Sequence, residues 1–436
     1  IKTQLNFCVY AALKVTFLLL FPAAVSMTAF AQAPTITNFS PTQGCQGMTI
    51  NINGTDFTGA TSVTIGGTTA SFIVVNSTRI QAYLGYGSSG AVVVTTAGGS
   101  ASRAGFYYQP LNRVITDFGG YWSSTLISPS STKPDSSHNL LAFRYNNVIY
   151  STGANDARLS ANGISFTPSS YRALPVAGIS GNNPGGSVYL ALAKKVDGSA
   201  TVANPVAVSS MTLSTALTDG IRGLDLGTGF TNLPSSANLT FNVYSIDTNR
   251  IADAEPDFIL TQIAQPVSGN DIFSLVDSTG AVVGNTFTQN MTLLNSFGTY
   301  DLDLFNLTPS TPFNTATAYS AASTNTNREI RLVAIKLSDF GINSTNYAQV
   351  KKLKIAPSTN SDYAFIAYNT NSLNLPPNVT QNSTNTNTTV CSGGISAMAV
   401  IATAAAGGTL SYSWEVSTNS GGSWSPVVDG GGVSGA

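Results

Sequence analysis

The 436 residues carry 19 Lys+Arg against 20 Asp+Glu and a single His, for a net charge of −1, and only 9% of positions are charged. So few charges build no basic stripe for a phosphate backbone and no charged tail for an anionic surface, so nucleic acid is not an expected partner. Solubility has to come from Ser, Thr, Asn and 40 Gly, and the length leaves room for roughly two to four domains of ordinary size.

Residues 1–33 read as a secretory signal peptide. Lys2 and Lys14 precede the apolar run Val15–Phe21, and small residues follow at Ala29-Phe30-Ala31, with Ala31-Gln32-Ala33 as a second cleavage option. The run falls short of the roughly 20 apolar residues a membrane span needs, so the expected location is secreted or outer cell surface, with no span left after signal removal. Cys8 lies upstream of the apolar run and leaves with it. The chain starts with Ile1 rather than Met, which suggests an incomplete or unusual start.

Residues 34–109 are written in turn residues and period-two alternation. Met48, Ile50 and Ile52 alternate with Thr49, Asn51 and Asn53, and the pattern recurs at Val63/Ile65, Phe72/Val74, Ile80/Ala82/Leu84 and Val92/Val94, with glycine turns between. One face is apolar and the other polar, as half-buried strands of a small Greek-key sandwich require. On these residues the stretch resembles an IPT/TIG domain, the immunoglobulin-like fold of bacterial surface proteins and some receptors; the resemblance implies a fold and names no ligand. Cys45 is expected as a small buried residue in a turn. A bridge from it to Cys391 would need Cα atoms within about 7 Å, which separate modules do not offer.

Residues 110–375 continue as strand candidates with almost no helical periodicity, among them 140–145, 147–150, 187–192, 238–244, 258–261, 271–276, 300–305, 329–335 and 362–368. They are enough for one large two-sheet, jelly-roll-like sandwich; two smaller sandwiches divided near residues 202–214 are the alternative. The segment resembles a module of large secreted proteins of gliding bacteria exported by the type IX pathway, on residues 137–143, 223–234, 256–264 and 276–284. That resemblance implies a surface or adhesin-like role and supplies no catalytic residue. Pro376-Pro377 and an Asn/Thr-rich linker, 376–389, lead to residues 390–436, which resemble the immunoglobulin-like repeats of bacterial adhesins on Val390-Cys391, Tyr412 and Trp414. The resemblance implies Trp414 packed between sheets and Cys391 bridged to a later cysteine, and the repeat is expected to be truncated at Ala436. The fold class is therefore all-β, with tandem β-sandwich modules.

Catalytic patterns are sparse. A Ser-His-Asp triad would rest on His138 alone, in a run that reads as a turn before the strand at Leu140. Asp117-Phe118-Gly119 and Asp339-Phe340-Gly341 lack the accompanying kinase motifs. One cluster rises above the background: Asp247, Asn249, Asp253, Glu255 and Asp257 fall within eleven residues. On an extended backbone the acids at 253, 255 and 257 share one side, and oxygen ligands so placed suit Ca²⁺; a solvated loop and paired-carboxylate glycoside chemistry stay open beside it. No other cofactor is expected.

Two function classes follow. The first is a non-catalytic adhesin-like surface protein whose sandwiches present a binding surface to an extracellular glycan or protein. The alternative is a carbohydrate-binding or polysaccharide-degrading protein acting through the central sandwich, with Tyr121, Trp122, Tyr145 and Tyr150 as exposed rings for sugars, although most aromatics in β-proteins fill the core.

Overall fold

The computed structural model describes residues 31–185, 188–196, 211–309, 312–315 and 319–375, together with four short strands, Asn378–Gln381, Ile401–Thr403, Glu415–Val416 and Ser425–Pro426. Nearly all of the expected signal peptide, and most of the expected linker and C-terminal repeat, lie outside the described residues.

The first module is a two-sheet sandwich. One sheet runs Thr35–Ser40, Thr49–Thr55, Arg79–Tyr83, Ser71–Asn76; the other runs Gln43–Gly44, Gly99–Tyr108, Gly90–Thr96, Ser62–Ile65, Thr68–Thr69. Alternation does what the sequence pattern asks of it. Ile50 and Ile52 pair with Ala82 and Ile80 and meet Val63, Ile65, Val92, Val94 and Phe106 in one core, each fully buried aliphatic side chain stabilising by about 1.5–3 kcal/mol. The apolar face stops at Gly54, where a Cβ would lie 1.8 Å from the Thr35 carbonyl oxygen.

The second module, from Leu111 to Leu375, has a third layer. An outer sheet of Trp122–Thr125, Leu111–Thr116, Leu140–Tyr145 and Val148–Ser151 covers one side, and a five-stranded sheet of Val176–Ile179, Leu239–Asn242, Lys352–Ala356, Asn270–Val276 and Val282–Asn290 covers the other. Between them lie two sheets. One holds Tyr171–Ala173, Ile366–Asn369, Phe258–Gln262 and Arg331–Ile335; the other holds Tyr319–Glu329, Thr299–Leu307, Tyr189–Ala193, Thr228–Leu233 and Ser361–Tyr363. Both central sheets are covered on both faces except at the edge strand Tyr319–Glu329, which has no buried residue among those described. Phe258 and Leu260 join the core under the five-stranded sheet, with Phe241, Phe273 and Leu353, whereas Ile259 and Ile263 join the core under the opposite sheet, with Leu111, Val114 and Phe143. Since successive side chains of a strand point to opposite faces, a strand that feeds both cores has no solvent side. The runs Phe258–Gln262 and Arg331–Ile335 are accordingly buried at every position, the signature of doubly covered strands.

A division near residues 202–214 does not occur among the described strands. Tyr189–Ala193 pairs with both Thr228–Leu233 and Thr299–Leu307, Val176–Ile179 pairs with Leu239–Asn242, and Tyr171–Ala173 pairs with Ile366–Asn369. The chain crosses that point repeatedly within single sheets.

The two modules are docked. Only Gln109 and Pro110 separate the strands Gly99–Tyr108 and Leu111–Thr116. Cys45, from a turn of the first module, sits in the core of the second beside Leu111 and Val114. The Tyr107 hydroxyl donates to Gln289 Oε1 at 2.7 Å, Gln43 Nε2 donates to Asn295 Oδ1 at 2.9 Å, and the Asn295 N–H returns to Gln109 Oε1 at 2.8 Å. No helix among the described residues is long and apolar enough to cross a membrane.

Candidate functional site

The acidic cluster is closed by ion pairs and hydrogen bonds within its own loop. The backbone from 247 to 255 turns instead of extending: the Arg250 N–H reaches the Asp247 carbonyl and the Asp253 N–H the Arg250 carbonyl. Turning lets a residue between the acids become their counter-ion. Arg250 pairs with Asp253 at 3.1 Å and with Glu255 at 2.7 Å, while Asp247 accepts from the Asn249 N–H at 2.9 Å within its own turn. Asp257, at the head of the doubly buried strand, is fully buried and accepts from the Leu337 N–H at 2.6 Å. Among the described residues, no group of three or more His, Cys, Asp or Glu side chains is placed to hold a metal ion.

Two of these acids, Glu255 and Asp257, are withdrawn from solvent, whereas Asp247 is exposed and Asp253 half-buried. Glu255 accepts from Ser169 and from Tyr171, the latter at 3.2 Å, and both Glu255 and Asp257 are buried. Burial pushes the Asp257 carboxyl up to about 7 and lifts the Tyr171 phenol well above its ordinary range, with the Glu255 charge adding to the effect. His138 is also fully buried: its Nδ1 donates to the Ser136 carbonyl at 2.8 Å and its ring meets Phe118 and Tyr300 edge-on. Burial lowers its proton affinity. Cys45 is a free, buried thiol.

Three of the four aromatic residues expected to stack on sugars are core residues. Trp122, Tyr145 and Tyr150 are buried around Leu140 and Phe143, and Tyr121 is half-buried, its hydroxyl accepting from Arg113 at 3.1 Å. They sit on the strands that line the second core, where large rings fill volume.

The surface with the chemistry to hold a ligand is the solvent face of the five-stranded sheet. Along Leu239–Asn242, Leu239 and Phe241 are buried while Thr240 and Asn242 face outward, and along Lys352–Ala356, Leu353 and Ile355 are buried while Lys352 and Lys354 are exposed. Strand register aligns the outward residues into rows. Gly178, Thr240, Lys354, Ser274 and Thr286 are successive neighbours across all five strands, with Ser274 itself buried. Asn242 lies opposite Lys352, and Ile272 lies between Ala356 and Thr288. At about 4.8 Å between strands, the row from Thr240 to Thr286 spans roughly 14 Å. Gly178 keeps one end open, since a Cβ there would lie 2.9 Å from Thr240 Oγ1.

Tyr244 extends the alternation past the end of its strand. Val243 is buried and Tyr244 is 64% exposed, the most exposed of the large hydrophobic side chains among the described residues. Its N–H is held by the Asn374 carbonyl at 2.8 Å, so the backbone carrying the ring is fixed. The alternation in residues 238–244 and in Lys351-Lys352-Leu353-Lys354-Ile355 was the sequence signal for this face; what it lacked was the register that brings the two strands together.

Residues 34–111 are an IPT/TIG domain, matching the model of that family. Among solved structures the chain is similar to an auxiliary nutrient binding protein from Bacteroides ovatus, with 28% identity over 20% of this chain and 22% of that one and a TM-score of 0.18; it thus spans about a fifth of that protein's length. It is also similar to SGBP-B from a complex xyloglucan utilization locus in Bacteroides uniformis, with 14% identity over 78% and 72% of the two chains and a TM-score of 0.18. A third is the surface glycan-binding protein PbSGBP-B from Prevotella bryantii, with 10% identity over 78% and 98% and a TM-score of 0.18. No curated protein matches the chain.

Proposed function

We propose that the protein is a non-catalytic glycan-binding protein of the cell exterior and that the sugar lies across the solvent face of the five-stranded sheet. The carrying observation is the exposed or half-buried Thr240, Lys354 and Thr286 in one row, with the buried Ser274 between the last two, Asn242 and Lys352 beside it, and the exposed Tyr244 ring two residues past Asn242. A sugar presents hydroxyls that both donate and accept, and apolar C–H faces. Hydroxyl side chains answer the first in both directions, and a carboxamide offers donor and acceptor together. A tyrosine ring offers a flat apolar body with a polar tip. Each hydrogen bond contributes only about 0.5–1.5 kcal/mol net, so recognition of this kind needs several in register, which a sheet supplies.

Hydrolysis would need two carboxyl groups flanking the bond to be cut. None of the outward residues just named is acidic, and Glu255 and Asp257 are buried away from solvent, which favours binding over cleavage. The location outside the cell rests on the signal pattern of residues 1–33. The test is a glycan panel applied to the full chain and to Tyr244→Ala. The expected result is a bound glycan whose affinity falls about tenfold in the variant, the loss of one good ring contact, at unchanged melting temperature. Absence of any bound glycan, or equal affinity for the two proteins, overturns the reading.

A further inference from the structure

We infer that the glycan held by this face is an acidic one, a polysaccharide carrying carboxylate or sulfate groups. The inference rests on the glycan reading of the same face and concerns what Lys352 and Lys354 do there. They stand two positions apart on one strand, roughly 6.8 Å from each other along it, both exposed, in a chain with only 19 Lys+Arg in all. Neither takes part in an ion pair among the described residues; the cations that do are Lys195, Arg250 and Arg331.

Lysines on strands often serve to keep an edge from pairing with another chain. That cannot be their role here, because Lys352–Ala356 is the middle strand of the five, flanked by Leu239–Asn242 and Asn270–Val276. The neighbours that could neutralise them in cis are Thr240, Asn242, Ser274, Val276 and Thr286, and none carries a charge. The nearest acid along the adjoining strand, Asp277, is turned into its own hairpin, accepting from the Thr279 hydroxyl at 2.7 Å and from the Ala281 N–H at 3.0 Å. Two ammonium groups thus repel each other across a face whose other outward side chains are uncharged: hydroxyls, an amide, the exposed Ile272 and a ring. A ligand with anionic groups on a hydroxyl-rich scaffold relieves the repulsion and uses the rest of the row. Two cations are too few for the counterion release that drives polyphosphate binding, so a nucleic acid does not fit the face.

The test uses the full chain and four polymers: polygalacturonate for carboxylate alone, carrageenan for sulfate alone, and neutral xyloglucan and amylose. Anionic phospholipid vesicles are a fifth arm. The expected result is binding of an acidic glycan that weakens about tenfold in Lys352→Gln/Lys354→Gln and on raising the salt, as exposed charge contacts do, and that persists in Lys352→Arg/Lys354→Arg. The arm that binds names the anion. Binding of a neutral glycan with no dependence on salt or on the lysines overturns the acidic class while leaving the glycan reading intact. Binding of no glycan overturns both, and binding of vesicles alone replaces them with a lipid surface.

Discussion

Asp257 and Asp362 show what burial does to single residues in this fold. Both are fully buried and burial pushes both carboxyls up to about 7, from an ordinary value of 3.8. A folded-state value above the unfolded one means the native protein holds the proton more tightly. Stability therefore falls as pH rises from the unfolded value through about 7, and is flat above. Asp257→Asn should remove that loss at one site: the amide oxygen can still accept from the Leu337 N–H, and the amide nitrogen can face the neighbouring Ser372 hydroxyl. Thermal melts should show the variant more stable than the parent by several degrees near pH 8, the gap closing as the pH falls to about 4. A variant less stable at both would contradict the assignment. Sequence placed Asp257 correctly in an acid-rich stretch, but charge spacing on an assumed extended backbone did not reveal that Arg250 folds back onto Asp253 and Glu255.

At the scale of elements, the strand Phe258–Gln262 separates a three-layer module from a two-layer one. Ile259 and Leu260 are adjacent in sequence and belong to different cores, so truncating either leaves a cavity. Ile259→Ala and Leu260→Ala should each cost about 2–5 kcal/mol in chemical denaturation. In a two-sheet sandwich one of the two would face solvent and cost little, and that result would remove the third layer. The period-two pattern made the half-buried strands legible: Ile50/Ile52, Val63/Ile65 and Val92/Val94 are inside as their alternation requires. It was less informative for Phe258–Gln262 and Arg331–Ile335, where unbroken apolar runs hide which face is which. Ring identity was no guide to exposure either, since Trp122, Tyr145 and Tyr150 lie in the core. The candidate face was legible only strand by strand, because the row Thr240, Lys354, Ser274, Thr286 joins residues up to 114 positions apart, 354 less 240.

In the molecule as a whole, the IPT/TIG domain and the layered module meet through Cys45, Gln43, Tyr107 and Gln109. Burial holds the Cys45 thiol up at about 11, so at neutral pH it is protonated as well as covered, and thiol alkylation should be slow in the folded protein. Labelling mapped by mass spectrometry should modify Cys45 only as the junction opens. Tyr107→Phe deletes the hydrogen bond to Gln289, an expected loss of about 1 kcal/mol, and should speed that labelling severalfold; a Cys45 that reacts at the rate of a free thiol in the native chain would show that the domains are not docked. Docking leaves the five-stranded sheet face open, and the claim that this face holds a glycan has a direct measurement. Lysine acetylation of the full chain is compared with and without bound acidic polysaccharide, residue by residue. Lys352 and Lys354 should be protected, while Lys195, paired with Asp135, and Lys133, bonded to Asn327, react unchanged. Protection spread evenly over all four lysines, or absent from Lys352 and Lys354 while the polysaccharide is bound, would contradict it.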